Sequence, residues 1–489
     1  MAEETKTTEA KKDGEAKEKK RKLLGIEPVE THHEITVGDR RLRYVARAGA
    51  LPLKDEFDET EAEVFFTAYE IEGVEDRSAR PLTFAFNGGP GSSSIWLHMG
   101  ALGPKRVRME KEGWMPQPPF RVEDNQQTWL GETDLVFVDP VGTGYSRAAK
   151  GELDKKFWGF QGDIDSVGEF IRLYLTRYGR WTSPLFLAGE SYGTTRAAGL
   201  AGHLVDRGVT FNGIFLLSTV LDHLAIRFGH ANDLPFQLFV PTYAATAWYH
   251  KKLREPLQTK PVGDLVAEVK SWSEGPLTGA LMKGDRLGDG ERRAVAKKLA
   301  DYTGLDLGYV LGTNLRVDIF RFCKELLRSE KRSIGRLDSR FKGVEALAVT
   351  EVPEFDPSMH AITPPYTSTF CHYARSQLGI ETDLVYETLS NKVNEKWEYE
   401  KGYLPATGET LRTAMAKNPY MKVFVGQGYY DLATPLLATE YMVSHMNVDA
   451  QLRANVEMHM YEAGHMFYLD SASLAAFKKD VDAFFRAAT

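Results

Sequence analysis

Short apolar runs, each ending in a polar or glycine-bearing turn, recur through the first 220 residues: PLTFAF (81–86), DLVFV (134–138), PLFLAG (184–189) and GIFLLS (213–218). Runs without polar alternation suit strands covered on both faces, as in a parallel sheet. Helix-like stretches separate the later ones. Over residues 163–178, Ile164, Val167, Phe170, Ile171, Leu173, Tyr174 and Leu175 fall largely on one side of a 3.6-residue period, and TTRAAGLAGHLVDRG (194–208) reads as a helix stopped by Gly208. Strand, helix, strand, helix, strand in this order predicts a parallel sheet with crossover helices. Upstream, EITVGDRRLRYVARAG (34–49) predicts two strands around the Gly38-Asp39 turn, and EVFFTAYEIEG (63–73) a third.

After Leu221 the alternation stops. Helical pieces such as GDLVAEVKSW and ERRAVAKKLADYTG are separated by proline-rich loops, VPEFDPS and ITPPYTS among them. The strand–helix rhythm resumes at Tyr420 with YMKVFVGQGYYD, then a helix (TPLLATEYMVSHM), a strand (ANVEMHMYEAG) and a final helix (SLAAFKKDVDAFF). The pattern predicts an α/β domain at 31–221 and 420–489, with a mostly parallel central sheet and helices on both faces. A mainly helical insertion, or cap, occupies 222–419. A charged, disordered tail at 1–30 precedes them.

Composition narrows the classes. Hydrophobic residues make up 43% and charged residues 26% of the 489, which excludes a collagen, a coiled-coil rod or a chain disordered throughout. Lys+Arg is 61 against Asp+Glu 68, a net charge of -7, so binding of nucleic acid through bulk charge is not expected. No apolar stretch reaches the ~18 residues that span a membrane. The start, MAEETKTTEAKKDGEAKEKKRK, lacks the apolar middle of a secretion signal, so a cytoplasmic location is expected. Two cysteines cannot staple a fold, and Cys323 and Cys371 are read as free buried thiols rather than a bridge. There is no H-E-x-x-H and no C-x-x-C, and no metal or cofactor is expected.

The chemistry concentrates in a few loops. Gly189-Glu190-Ser191-Tyr192-Gly193 matches G-x-S-x-G, a weak pattern alone. Here it follows an apolar strand and precedes a helix that begins with small residues, the strand–turn–helix that lifts a serine above a sheet edge. A serine hydroxyl needs a base and an orienting acid. Asp431 follows the strand resumed at Tyr420, and His465 follows the last strand. Both stand where an open parallel sheet places its site. Of the 12 histidines, His98, His223, His230 and His459 are read as structural or surface residues. The glycine-rich loop Asn87–Ser94 follows PLTFAF, and the backbone N–H groups of Gly89 and Tyr192 are the candidate oxyanion donors.

These residues resemble the serine carboxypeptidase family (peptidase family S10), of α/β-hydrolase fold. The resemblance rests on NGGPGSSS (87–94), DPVGTGYS (139–146), GESYG (189–193), the Tyr-Asp turn at Asp431 and AGHM (463–466). It implies release of residues from the carboxyl end of a peptide substrate, with Ser191 attacking, His465 shuttling the proton and Asp431 orienting the imidazole. It further implies that Asn87 and a protonated Glu190 bind the terminal carboxylate. The family raises that pKa with a second glutamate, and by ungapped counting this chain has Ala101 there. The family's loop cysteine is Ser92. The expectation is therefore a Glu190 pKa less raised than in the family and a less acidic optimum. An esterase, amidase or acyltransferase on small substrates is the alternative, and an inactive scaffold is a third reading. The sequence does not indicate an oligomeric state or a side-chain preference.

Overall fold

Strand alternation decides which residues meet which layer. The computed structural model describes residues 21–399 and 405–489. Nine strands form the body of one sheet: β1 (Val29–Val37), β2 (Arg40–Lys54), β3 (Thr60–Ile71), β4 (Leu82–Phe86), β5 (Asp134–Val138), β6 (Leu185–Ser191), β7 (Gly213–Thr219), β8 (Lys422–Gly428) and β9 (Val456–Tyr461). Their order is β1-β2-β3-β5-β4-β6-β7-β8-β9, and Arg147–Ala148 adds a short pairing on β3. Pairs from β5 to β9 are parallel, while β1, β2, β3 and the β3–β5 contact are antiparallel. The sheet is the mostly parallel one expected, with an antiparallel flank.

Residues of each strand alternate between two apolar layers. Leu185, Leu187, Ile214, Leu216, Val423 and Val425 face one, packed with helices α1 (Phe160–Arg177) and α2 (Tyr192–Val205). Phe186, Ala188, Phe215, Leu217 and Phe424 face the other, packed with α3 (Pro357–Ser376) and α4 (Ser471–Ala488). The parallel strands β4 to β8 are buried along nearly their whole length, which is why they read as unbroken apolar runs; the edge strand β9 is buried only in part.

Three expectations need correction. The first 20 residues lie outside the described ones, but 21–30 is not the tail expected. Arg21 pairs with Asp154, with Nη2 2.7 Å from Oδ2, Leu24 is buried, and β1 begins at Val29. ITPPYTS is not a loop: Pro364 and Pro365 lie inside α3. The buried stripe Ile362, Tyr366, Phe370 and Tyr373 has helical spacing, and burying it outweighs a proline cost of ~3 kcal/mol. Finally, both cysteines are free, yet only Cys323 is buried; Cys371 is exposed.

Candidate active site

Ser191 ends β6 and caps α2, with φ 59° and ψ -130°. A non-glycine residue holds such a conformation only where its surroundings over-determine it. The turn is tight because two stretches of backbone nearly touch. A Cβ on Gly189 would lie 2.1 Å from the Gly193 carbonyl oxygen, so only glycine fits there. The serine is thus turned out at the carboxyl end of the sheet, into a cavity of about 330 Å³ that it lines with His465, Tyr192, Gly89, Asn87 and Glu190. Six of the seven residues chosen from sequence share that wall.

The seventh, Asp431, stands behind the imidazole. It is fully buried, and its Oδ2 lies 2.8 Å from His465 Nδ1. The carboxylate is saturated with donors: Oδ1 accepts from the N–H of Ala433 at 2.8 Å and of Thr434 at 2.9 Å. Oδ2 accepts from Thr434 Oγ1 at 2.6 Å and Gln427 Nε2 at 3.1 Å. A carboxylate so held cannot swing away from the ring. With Nδ1–H given to Asp431, Nε2 is the nitrogen left to take a proton. Burial would lower the His465 pKa, but the charge and hydrogen bond of Asp431, with the charge of Glu190, outweigh it and raise the value above the ordinary one.

The loop after β4 is fixed from two sides. Ser94 donates its N–H, at 2.8 Å, and its hydroxyl, at 2.7 Å, to Asp139 Oδ1. This gives DPVGTGYS a role: its first residue anchors the candidate oxyanion loop, and burial pushes its pKa up to about 6. From the other side, Arg196 Nη1 donates to the Asn87 carbonyl at 2.7 Å, while its Nε pairs with Asp163 at 2.8 Å. Gly89 takes φ 103°, a value that other residues avoid. Amide groups locked in this way need no reorganisation when charge develops beside them.

Sequence reasoning missed the brace that holds the loops of Asp431 and His465. Residues 335–341 leave the small hairpin Arg332–Ile334/Lys342–Val344 and run under both. Ser339 N–H donates to the Tyr430 carbonyl at 3.0 Å, Leu432 N–H to the Arg336 carbonyl at 3.1 Å, and His465 N–H to the Leu337 carbonyl at 2.6 Å. Gly464 N–H donates to Asp338 Oδ2 at 3.1 Å, and Asp338 is itself held by the buried Arg340 at 2.7 Å. Nothing in GRLDSR announces this; only the spatial neighbours give it meaning. Arg196 and Asp163 were likewise read as ordinary helix residues.

Among the set-aside histidines, His98 is structural. It is stacked on Phe137 at 4.2 Å and hydrogen-bonded to the Tyr69 hydroxyl at 2.7 Å, and burial lowers its pKa to about 3. His459 lies on β9, stacked on Phe424 at 4.6 Å. His223, by contrast, lines the cavity, a placement its sequence context did not suggest.

The sequence pattern of the serine carboxypeptidases matches residues 48–227, the stretch that carries the candidate oxyanion loop and Ser191. Over that stretch this chain is similar to the serine carboxypeptidases. The pheromone-processing carboxypeptidase KEX1 of Saccharomyces cerevisiae is 31% identical over 158 residues, 30% of this chain and 20% of that protein. Serine carboxypeptidase-like 36 of Arabidopsis thaliana is 30% identical over 148 residues, 29% of this chain and 26% of that one. The chain therefore spans only a fifth to a quarter of the length of these relatives. The crystal structure of KEX1(delta)p from Saccharomyces cerevisiae superposes with a TM-score of 0.55 over 90% of this chain and 91% of that one, at 17% identity, a likeness of fold.

The serine carboxypeptidase resemblance sharpens the question of Glu190. Ala101 is buried in the turn His98–Leu102, with Asn125 Nδ2 on its carbonyl at 2.7 Å. Glu190 Oε1 accepts from Asn87 Nδ2 at 2.9 Å, and Asn87 Oδ1 takes the Leu97 N–H at 3.0 Å, which fixes which way the amide points. Burial, reinforced by the charge of Asp431, pushes Glu190 up to about 7 against the pull of His465, Tyr468 and Asn87. Burial therefore lifts this carboxyl without the second glutamate.

Proposed function

We propose that the chain is a serine carboxypeptidase, cleaving the last residue from a peptide through an acyl-enzyme. One observation carries the reading: a single cavity holds Ser191 and His465 together with the buried Asn87–Glu190 pair. Below about pH 7 Glu190 is largely neutral, so it and Asn87 Nδ2 can both donate to a terminal carboxylate.

Ser191 Oγ attacks the carbonyl carbon of the last peptide bond while His465 Nε2 takes the hydroxyl proton. Asp431 keeps the ring in the right tautomer and stabilises the imidazolium. The N–H groups of Gly89 and Tyr192 receive the oxyanion, each such donor being worth about 3 kcal/mol. The imidazolium then protonates the leaving amine, the C–N bond breaks, and the terminal residue departs. Water, deprotonated by the same imidazole, releases the shortened peptide from Ser191.

The alternative is a hydrolase or acyltransferase on small esters or amides, favoured by Ala101 at the place of the family's second glutamate. Turnover of a blocked dipeptide separates the two: the carboxypeptidase reading expects release of the free terminal amino acid, and faster cleavage of the dipeptide acid than of its amide. Equal rates on acid and amide, or turnover of p-nitrophenyl esters alone, would sink it. A fluorophosphonate that fails to label Ser191 would sink both readings in favour of a scaffold.

A further inference from the structure

A second hollow, of about 700 Å³, adjoins the cavity of Ser191, and the two share Ile226, Arg336 and Ala433. Its walls are largely apolar, including Phe228, Phe236 and Phe239. Two acids line it, Asp318 and Glu351, and both are engaged by Arg321. Two further arginines line it, Arg227 within the second hollow and Arg336 at the junction. Among the described residues, Arg336 is the one Lys or Arg lining the cavity that holds Ser191 and His465.

Its backbone is pinned where the chemistry is. The Arg336 carbonyl accepts the N–H of Leu432, next to Asp431, and the following residue, Leu337, holds the His465 N–H. Arg336 N–H donates to Asp356 Oδ1 at 3.2 Å. The side chain, in contrast, is uncommitted. It is 40% exposed, and its acid contact is Asp356 Oδ2 at 4.0 Å, the outer limit of an ion pair. A guanidinium presents a planar fork of donors suited to a carboxylate, and here much of that fork is unused. It is also near enough for its charge to disfavour the His465 imidazolium.

We infer that Arg336 selects substrates whose penultimate residue, the one whose carbonyl Ser191 attacks, carries an acidic side chain. The assignment rests on the carboxypeptidase reading. There the terminal carboxylate is taken by Asn87 and Glu190, and the acyl part of the peptide runs past His465 toward the second hollow. The aspartate or glutamate side chain meets Arg336 at the junction, and apolar residues further back in the peptide lie against the phenylalanines.

The test compares kcat/KM for blocked Glu-Leu, Gln-Leu and Lys-Leu dipeptides in the wild type, Arg336→Gln, Arg336→Lys and Arg336→Glu. The rate of fluorophosphonate labelling of Ser191 certifies a folded site in each variant. The wild type should prefer Glu over Gln by about tenfold, as expected for a charged hydrogen bond partly open to water. The ratio should collapse toward one in Arg336→Gln, recover in part in Arg336→Lys, and turn in favour of Lys in Arg336→Glu. A wild-type ratio near one, or a ratio unchanged in Arg336→Gln, would overturn the inference. So would a preference for the dipeptide acid over its amide that is lost in Arg336→Gln, since Arg336 would then be binding the terminal carboxylate. Failure of the carboxypeptidase reading looks different: no terminal residue is released from any of the peptides, although Ser191 is labelled.

Discussion

The insertion between β7 and β8 contains two regions of opposite character. Residues 239–334 fold chiefly around one cluster, with Tyr243 stacked on Phe322 at 3.9 Å and with Val269, Leu281 and Leu299 buried around them; Leu432 of the sheet domain joins it, and Ala245 and Val266 join a layer of the sheet. Residues 335–398 add to the core of the sheet domain instead. Tyr366, Phe370 and Tyr373 belong to one layer of the sheet, and Val393 and Trp397 to the other. The backbone of this second region is tied to the candidate oxyanion loop: Ser93 N–H donates to the Thr388 carbonyl at 3.1 Å, and Ser390 N–H to the Gly91 carbonyl at 2.8 Å. One part is a cap with its own core, while the other is a strap that completes the site. Mutational sensitivity should follow that division, not the boundaries of the insertion.

The largest effect belongs to the sheet itself. Ser191→Ala should lower kcat by about 10⁶-fold and abolish fluorophosphonate labelling; residual labelling would place the nucleophile elsewhere. Next comes the strap. Asp338→Ala strands the Arg340 charge, 4% exposed, a loss of about 3 kcal/mol of stability, and removes the acceptor of the Gly464 N–H. We expect kcat to fall about 10²-fold, because sub-ångström misplacement of His465 is costly. Phe322→Ala in the cap should cost a similar 3 kcal/mol or more while labelling of Ser191 stays within about twofold. If Phe322→Ala slows labelling as much as Asp338→Ala does, the two regions are one unit and the comparison fails.

This division also marks where the sequence was legible. Ser191, Asp431 and His465 stand next to parallel strands, whose apolar runs and terminal loops mark them out. The two faces of the sheet follow from strand period, and α1 and α2 from helical period. The strap could not be read. Asp338 matters through Gly464, and Arg196 through the Asn87 carbonyl, contacts between residues more than 100 positions apart in the chain. α3 departs from expectation for a related reason: its two prolines argue locally for a loop, and the packing that overrides them comes from Trp96, tilted against Tyr366 at 5.1 Å, and His98, edge-on to Phe370 at 5.7 Å.

A smaller effect separates binding from bond cleavage on the sheet side. Below the His465 pKa the imidazolium cannot accept the serine proton, so kcat/KM falls as pH drops. Above about 7 Glu190 ionises and repels a terminal carboxylate, so kcat/KM for a dipeptide acid also falls, by up to tenfold per unit. Each charge shifts the other group, and the limbs report the pair. A dipeptide amide should lack the alkaline limb, and Glu190→Gln should remove it for the acid as well. An alkaline limb shared by acid and amide would take Glu190 out of carboxylate recognition.

The smallest effect tests the strap's helix. Pro364 is exposed within α3, and its ring nitrogen cannot donate to the His360 carbonyl. The hydroxyls of Thr363 and Ser368 donate to the Met359 and Pro364 carbonyls at 2.8 Å, which leaves that loss uncompensated. Pro364→Ala restores the donor, against a gain of chain entropy in the unfolded state. The net should be about 1 kcal/mol of added stability, read from denaturant midpoints at constant slope. Met359 and Ile362, just before the proline, line the Ser191 cavity. A stabilised variant with unaltered kcat/KM would mean the proline is merely tolerated by a helix that its buried face holds in place. A stabilised variant with altered KM would mean the proline bend sets where those two side chains enter the cavity, and would tie the strap to substrate fit as well as to the catalytic loops.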